Sequence, residues 1–314
     1  MDDTRKARNY GMEKHRLILD CDTKNEIDDQ FAIAYALLSP DIAVEGVVSV
    51  QNQGNHGEAS VDLYHREARK VLRLAGADVP AFKGSRHPVS ARGTPERSEG
   101  VTFIIDSVRA HGSAVTIVAT GPASDLANAC LIAPDVMRRA KILWIGGFRD
   151  NAEMRRVKSR ECNFINDPRA VGLLCSLDLD FTILPAMGVT DAMMVQAVRF
   201  AELLRERNTP LTSYLARLLE TCGNRYRILW DIAAVAAAKG LGVERVVRKP
   251  ACTVRGNRLI YPARSDHTVR VIDAIDELAM LADARYRLLS ERQSEDRATH
   301  CHPEHRRRET KCVA

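Results

Sequence analysis

The segment LILDCDTKNEIDDQ concentrates side chains that could do chemistry, because Asp20, Asp22, Glu26, Asp28 and Asp29 fall within ten positions. Carboxylates this close raise one another's pKa and repel one another. Such crowding is tolerable only where a cation or hydrogen-bond donors lie among the oxygens. The spacing therefore predicts a site at which several carboxylates act together on one cation or one ligand.

A strand and a helix must position these acids. RLILDCD is an apolar run bounded by charge, which is typical of a buried β-strand. Apolar residues then recur at helical spacing from Ile27 to Leu38, and Pro40 ends that helix. Asp28 and Asp29 fall in its first turn, where the helix dipole favours negative charge.

The rest of the chain repeats this alternation. Strand patterns occur in IAVEGVVSV (42–50), AVTIVAT, AKILWIGG and DFTILPA, and helix patterns in EASVDLYHREARKVLRLAG, GPASDLANACLIAP and DPRAVGLLCSL. We predict long helices over 191–207 and 271–289, and a hairpin in ACTVRGNRLIYPA with Gly256 and Asn257 at its turn. The predicted fold is α/β, with a mostly parallel sheet covered by helices on both faces, a helical cap region and a late β-hairpin.

Polar residues gather where such a sheet binds ligands. In open α/β sheets, ligands lie outside the carboxyl ends of the strands. Polar or glycine residues follow four of the predicted strands: Asp20 and Asp22, Gln51 and Asn52, Thr120, and Gly146 with Gly147. The acidic segment is therefore expected to open onto a shared site.

Composition limits the function classes. The 314 residues are 45% apolar and 28% charged, as in an ordinary globular protein. Neither a secretory signal nor an apolar run of about 20 residues occurs, and the eight cysteines form no CxxC pair. We therefore predict a cytoplasmic protein with reduced, buried thiols. The body has no basic aromatic stripe, so neither nucleic acid nor membrane is an expected partner.

Three segments are predicted along the chain. Residues 1–15 form a flexible N-terminus, residues 16–290 a single catalytic domain, and residues 291–314 a disordered basic tail that carries much of the net charge of +5. The tail contains four residues that could bind a transition metal: His300, Cys301, His302 and His305. A flexible tail without a ligand is the simpler interpretation.

Several motifs together resemble one enzyme family. DCDTKNEIDDQFAIAYAL is similar to the motif DTDxGxDDAxA of the inosine-uridine-type nucleoside hydrolases. VATGPASDLANA then resembles ALGPLTNLA, ILWIGG a strand ending in MGG, ECNFINDPRAV the motif EFNxxxDPEAA, and WDIAAVAA the motif HDPLAVA. VPAFKGSRHP matches the loop VPVxxGxxxP. The resemblance extends from Leu17 to Leu289 and leaves only the two termini outside.

The resemblance implies a metal site. The carboxylates of Asp22, Asp29 and Asp231 and the backbone carbonyl of Thr120 would hold a calcium ion. Calcium prefers several hard oxygen ligands, so three carboxylates around it would explain the crowding of acids. Water held at such an ion loses a proton more readily, and Asp22 would accept that proton as a general base.

The resemblance also implies a substrate and an assembly. The reaction would be hydrolysis of the N-glycosidic bond of a ribonucleoside through an oxocarbenium-like transition state. Asp28, Glu161 and Asn163 match family residues that bind the sugar. A homo-oligomer, either a dimer or a tetramer, is expected, together with a role in purine or pyrimidine salvage.

This chain departs from the family pattern near the substrate. The loop between Asp22 and Asp28 is longer than usual, which brings Asn25 near the site as a further substrate contact. Trp230 stands where many members have histidine, and its indole stacks on bases but does not donate a proton as an acid. Cys162 replaces the usual phenylalanine, and we interpret it as a small packed side chain. The sequence therefore does not identify the leaving group.

Three other functions also fit parts of this sequence. A calcium-dependent protein that only binds a sugar or nucleoside would keep the same residues, and so would a hydrolase of non-nucleoside ribosides. LILDCD also fits the start of a haloacid-dehalogenase-type phosphatase, with Asp20 as the nucleophile and Asp22 as the acid/base. That class expects threonine or valine where Lys24 stands, and this chain contains no Gly-Asp dipeptide.

Overall fold

The structure, a computed structural model, describes residues 14–89, 94–158 and 160–290. The strands are β1 (His15–Cys21), β2 (Ile42–Ser49), β3 (Ala81–Lys83), β4 (Val115–Ala119), β5 (Lys141–Ile145), β6 (Asp180–Leu184), β7 (Met194–Gln196), β8 (Tyr226–Ile228), β9 (Glu244–Pro250), β10 (Thr253–Arg255), β11 (Arg258–Ile260) and β12 (Thr268–Ile275). The helices are α1 (Asp28–Leu38), α2 (Gln53–His56), α3 (Ser60–Ala75), α4 (Glu99–His111), α5 (Ser124–Ile132), α6 (Pro134–Met137), α7 (Asn151–Arg156), α8 (Cys162–Asn166), α9 (Pro168–Ser176), α10 (Ala197–Arg207), α11 (Pro210–Thr221), α12 (Trp230–Ala238) and α13 (Glu277–Leu289).

A single large sheet organises the described residues. Its eight strands run in the order β3-β2-β1-β4-β5-β6-β12-β9, and only the β12–β9 pair is antiparallel. The chain moves from β1 outward to β2 and β3 on one side, and then returns to place β4 on the other side of β1. This reversal leaves a crevice at the carboxyl ends of β1 and β4, where ligands of such sheets bind.

The central strands of the sheet are buried on both faces because they are apolar on both faces. Along β1, Leu17 and Leu19 pack into one hydrophobic cluster and Ile18 into the other. The first cluster includes residues of α1, α3 and the helices from α10 to α13, and the second includes residues of α4, α5 and α9. Continuous apolar runs of this kind are typical of parallel strands between two helix layers. The predicted α/β fold class is confirmed.

Two predicted helices are shorter than expected. The segment 191–207 contains a 3₁₀ turn and β7 before the helix α10, because Met194–Gln196 pairs antiparallel with Tyr226–Ile228. The segment 271–289 begins as β12, which pairs with β6 and β9, and becomes helical only at Glu277. Asp276 caps that helix by accepting a hydrogen bond from the Ala279 N–H. The late hairpin is confirmed as β10 and β11, and Gly256 at its turn has a φ of 58°.

The prediction of reduced thiols needs one correction. Cys175 and Cys252 are joined in a disulfide that ties α9 to the segment before β10, with their Cα atoms 5.8 Å apart. Four other cysteines of the described chain are free thiols: Cys21, Cys130, Cys162 and Cys222. The distant sequence positions of the bonded pair gave no signal of this contact.

The described chain begins at Lys14, and β1 starts one residue before the predicted domain boundary. The tail predicted over 291–314, with His300, Cys301, His302 and His305, lies outside the described residues. Among the described helices, none combines the length and the apolar character needed to cross a membrane.

Candidate metal and substrate site

The predicted site residues meet in one cavity of about 230 Å³ at the carboxyl ends of the sheet strands. Eight of the nine predicted residues line it: Asp22, Asn25, Asp28, Thr120, Glu161, Asn163, Trp230 and Asp231. The ninth, Asp29, is buried beside the cavity and accepts a hydrogen bond of 2.7 Å from the Thr120 hydroxyl. The structure therefore brings together acids that are more than 200 positions apart in sequence.

Two helices deliver carboxylates to the same point. Asp28 and Asp29 occupy the first turn of α1, and Asp231 occupies the first turn of α12. The two helices pack against each other, so the positive ends of both helix dipoles support the acids. One ligand atom from each of these three residues lies within 4.8 Å of the others. This spacing is compatible with one cation among them.

Asp22 joins this group from the end of β1. Its carboxyl lies beside that of Asp29, and the Asn52 amide donates a hydrogen bond of 2.6 Å to its Oδ2. The tightest trio of acids therefore contains Asp28, while the predicted ligand Asp22 lies next to it. Asn52 follows β2, and sequence reasoning marked it only as a polar residue at the sheet edge.

The Thr120 carbonyl is held by a residue from another element. The Asn163 amide donates hydrogen bonds of 2.8 Å to this carbonyl and 2.9 Å to the Ile145 carbonyl, so it bridges the ends of β4 and β5. A carbonyl oxygen has two lone pairs, and one stays available for a cation. Asn163 thus orients a predicted metal ligand, in addition to lining the cavity.

The electrostatics of the carboxylates favour an added cation. Burial raises the pKa of Asp22 to about 6 and that of Asp28 to about 7. The pKa values of Asp29 and Asp231 are raised further, first by burial and then by the neighbouring carboxylates. Within the described part of the chain, no lysine or arginine forms an ion pair with any of the four. Hard oxygen ligands without a protein counter-charge suit calcium or another hard divalent ion.

Glu161 is held in place by hydrogen bonds from the backbone. Its carboxylate accepts hydrogen bonds from the backbone N–H groups of Gly147, Asn163 and Phe164 at 2.6–2.9 Å. Glu161 therefore caps α8, and burial raises its pKa to about 7 in spite of these donors. Most of its acceptor capacity is already used, although the residue still lines the cavity.

The long loop after Asp22 is tied to the body at three points. Lys24, with a φ of 92°, forms an ion pair of 3.7 Å with the buried Glu67, and Glu26 pairs with Arg227. Asn25 accepts a hydrogen bond of 2.5 Å from the Asn55 amide. The loop therefore forms an ordered wall of the cavity.

Cys162 and Trp230 complete the walls. Cys162 is partly buried and lines the cavity, and burial raises the pKa of its thiol. Its Sγ lies 3.5 Å from the Asn25 amide nitrogen and 3.4 Å from that of Asn52. Trp230 is half-buried and lines the cavity with the apolar side chains of Ala186 and Met187. Trp230, Ala186 and Met187 together form an apolar surface beside the acids.

Comparison with known proteins agrees with this geometry. Residues 17–282 match the family described as inosine-uridine preferring nucleoside hydrolase. A probable uridine nucleosidase of Arabidopsis thaliana is 24% identical over 250 residues, which are 71% of this chain and 74% of that protein. A pyrimidine-specific ribonucleoside hydrolase of an Enterobacter species is 25% identical over 228 residues, which are 65% of this chain and 69% of that protein.

Solved structures share the fold. The alignment with a purine-preferring ribonucleoside hydrolase from Gardnerella vaginalis covers 87% of this chain and 98% of that one, with a TM-score of 0.71 and 24% identity. A plant nucleoside hydrolase aligns over 88% of this chain and 99% of its own, with a TM-score of 0.71 and 20% identity. At these identities the likeness establishes the architecture of the sheet and its helices.

Proposed function

Because this chain belongs to the inosine-uridine preferring nucleoside hydrolase family, whose members cleave N-glycosyl compounds, we propose that it is a calcium-dependent ribonucleoside hydrolase. One observation carries the proposal. Buried carboxylates from the end of β1 and from the first turns of α1 and α12 lie together in the crevice at the carboxyl ends of β1 and β4. Among the described residues, they have no lysine or arginine partner. They open onto a cavity large enough for a sugar.

The metal ligands of this proposal are the carboxylates of Asp22, Asp29 and Asp231 and the carbonyl of Thr120. Calcium bound there would neutralise the crowded carboxylates and make water at the site more acidic. Asn52 and Asn163 hold the oxygens of Asp22 and Thr120 in place through hydrogen bonds of 2.6 and 2.8 Å. Such supporting contacts fix ligand orientation before the ion arrives.

Asp22 is the general base in this proposal. Its pKa of about 6 means that it is ionised at neutral pH and ready to accept a proton from the attacking water. The hydrogen bond of 2.6 Å from the Asn52 amide to Oδ2 holds this carboxylate in its orientation. Burial keeps the carboxylate basic, since water does not surround it.

The other wall residues bind the ribose. Asp28 accepts a hydrogen bond from a ribose hydroxyl, and Asn25, Glu161 and Asn163 surround the rest of the sugar. Positive charge develops on the ring as the glycosidic bond breaks, and the adjacent carboxylates stabilise it more strongly than they stabilise the ground state. A deoxyribose would leave buried polar groups unpaired and would therefore be a poor substrate.

Trp230 accommodates the leaving base. The half-buried indole and the apolar side chains of Ala186 and Met187 offer a surface on which a base can stack. Relatives named as a uridine nucleosidase and a pyrimidine-specific ribonucleoside hydrolase make uridine the first substrate to test. We further propose a homo-oligomer, dimer or tetramer, that acts in cytoplasmic nucleoside salvage.

Release of reducing sugar from purine and pyrimidine ribonucleosides tests this proposal. The assay is run with calcium, with a chelator, and with Asp22→Asn in place of the wild type. We expect release that depends on calcium and falls about 10³-fold in the variant. Calcium binding without cleavage of any ribonucleoside would reject the hydrolase and favour the binding-protein alternative or a different riboside.

A further inference from the structure

One basic side chain lines the otherwise acidic cavity. Among the described residues around it, Arg160 is the only lysine or arginine. Its side chain is exposed and makes no ion pair or hydrogen bond with any other described residue. A guanidinium stays charged at any physiological pH, so this wall carries a positive charge that no described residue matches.

Hydrogen bonds hold the backbone of Arg160 and of the next residue. The Arg160 N–H donates a hydrogen bond of 3.2 Å to the carbonyl of Val157, the C-cap residue of α7. The next residue, Glu161, is fixed by its three hydrogen bonds to backbone N–H groups. The Arg160 backbone is therefore fixed in the cavity wall, and its side chain is the adaptable part.

The acids of the cavity are already engaged. Glu26 pairs with Arg227, Glu161 accepts backbone N–H groups, and the aspartates are assigned to the cation and the ribose. None of these acids is left to neutralise Arg160. The chemistry that matches a free guanidinium is a planar or tetrahedral anion that accepts two parallel hydrogen bonds, such as a phosphate.

The position of Arg160 indicates which part of the substrate carries the anion. Arg160 adjoins the Glu161–Asn163 wall, which we assign to the sugar, whereas Trp230 adjoins Asp231 and is assigned to the base. With the 2- and 3-hydroxyls directed at the carboxylates, the exocyclic C5 is the remaining position of the ribose that can carry a substituent. A phosphate there has a charge of about −1.5 to −2 at neutral pH.

We infer that this enzyme accepts ribonucleoside 5′-monophosphates and that Arg160 binds their phosphate. The inference rests on the proposed function, because it uses the same reaction. The oxygen of water bonds to C1′, and the bond from C1′ to the base nitrogen breaks with its electron pair on that nitrogen. One water proton goes to Asp22 and then to solvent, the base takes up one proton, and the sugar product is ribose 5-phosphate.

The test compares kcat/KM for uridine and uridine 5′-monophosphate, and for inosine and inosine 5′-monophosphate. Proteins assayed are the wild type, Arg160→Ala, Arg160→Lys and the matched control Arg155→Ala. Arg155 is also exposed and lies five positions earlier, but it does not line the cavity. We expect the 5′-monophosphate-to-nucleoside ratio to fall at least tenfold in Arg160→Ala, to be partly kept in Arg160→Lys, and to be unchanged in Arg155→Ala.

A further substrate locates the anion. Orotidine carries its charge on the base instead of on the ribose. Arg160→Ala should not lower kcat/KM for orotidine more than it lowers that for uridine. An equal loss for nucleosides and 5′-monophosphates, or a larger loss for orotidine, would overturn the inference. Cleavage of uridine without cleavage of any 5′-monophosphate would overturn it and leave the proposed function standing, whereas no cleavage at all would reject both.

Discussion

Helices α1 and α12 lie against each other, and buried charged groups occur at both ends of the pair. The first group, here called the acidic cluster, lies at the N-terminal ends and comprises Asp22, Asp28, Asp29 and Asp231. The second, the lysine cluster, lies towards the C-terminal ends and comprises Lys239, Asp41, Asp283 and Tyr35. Both bring several carboxylates together, but among the described residues only the lysine cluster contains a lysine or arginine.

The lysine cluster contains its own cation. Lys239 is 5% exposed, and its ammonium lies 3.3 Å from an Asp41 oxygen and 2.8 Å from an Asp283 oxygen. Burial raises the pKa of Asp283, but the hydrogen bonds from Lys239 and Tyr35 outweigh it and leave that pKa below its usual value. In the acidic cluster the net shifts are upward. Among the described residues, the fold therefore supplies a cation to the lysine cluster, and in our proposal calcium would supply one to the acidic cluster.

The largest effect should come from removing a carboxylate of the acidic cluster. Asp231→Asn should lower kcat by about 10³-fold, equivalent to about 4 kcal/mol of transition-state stabilisation. The metal-free variant should melt no lower than the wild type, since a buried like charge has been removed. Steady-state kinetics and thermal melts measure both quantities. Asp283→Asn is the matched control, and an equal loss of kcat there would erase the distinction between the clusters.

Removing the lysine should produce the opposite pattern. Lys239→Met leaves Asp41 and Asp283 without their buried cation, and we expect the free energy of unfolding to fall by about 3 kcal/mol. Activity per folded molecule should stay within about twofold of the wild type. Chemical denaturation gives the stability, and kinetics below the unfolding range give the activity. An unchanged free energy of unfolding would show that the lysine cluster does not stabilise the fold.

Stability should depend on pH through the acidic cluster. Carboxyls with an ordinary pKa of 3.8 titrate near 6 for Asp22 and 7 for Asp28 in the folded, metal-free chain. Between the unfolded-state pKa of 3.8 and the raised folded-state values, the folded chain binds more protons than the unfolded chain. The free energy of unfolding therefore falls as pH rises from about 4 to 7.

Calcium should reverse that trend. It binds the ionised carboxylates, and at a hundredfold excess over its Kd it adds about 2.7 kcal/mol of stability. The rise in Tm on adding calcium should therefore be larger at pH 8 than at pH 5. Thermal melts with calcium and with chelator at both pH values measure it. A larger rise at the acidic pH would contradict the assignment of the site.

A half-exposed ion pair should matter least. Glu26→Gln removes the partner of Arg227 in the loop beside the cavity, where the Glu26 side chain is 43% exposed. Exposed pairs contribute little, and we expect a change of less than about 1 kcal/mol in stability. Chemical denaturation of the variant tests this. A loss of stability as large as that expected for Lys239→Met would mean that this ion pair stabilises the fold as strongly as the lysine cluster does.

Short-range patterns were sufficient for the first part of the fold. The apolar run of β1 and the helical spacing of α1 are contiguous in sequence, so both elements and the positions of Asp22, Asp28 and Asp29 could be predicted. Asp231 was identified only because WDIAAVAA resembles a motif of the family. The first three acids lie within one short segment, so their proximity could be predicted without knowledge of distant partners.

Long-range pairing explains the failures. Met194–Gln196 forms a strand only because Tyr226–Ile228 pairs with it, and Thr268–Ile275 only because β6 and β9 flank it. The β-branched residues in TVRVIDAI were a signal that could have identified β12. The contact of Asn52 with Asp22 likewise depends on neighbouring strands. The position of Arg160 in the cavity wall follows from packing that no local pattern encodes.

Calorimetric titration of the metal-free protein with calcium tests the central claim most directly. The protein is titrated at about pH 7.5 as the wild type, as Asp29→Asn and as Asp283→Asn, each confirmed to be folded by circular dichroism. We predict one calcium per chain in the wild type and in Asp283→Asn, and loss of that binding in Asp29→Asn. Absence of binding to the wild type, or equal binding to Asp29→Asn, would contradict the account.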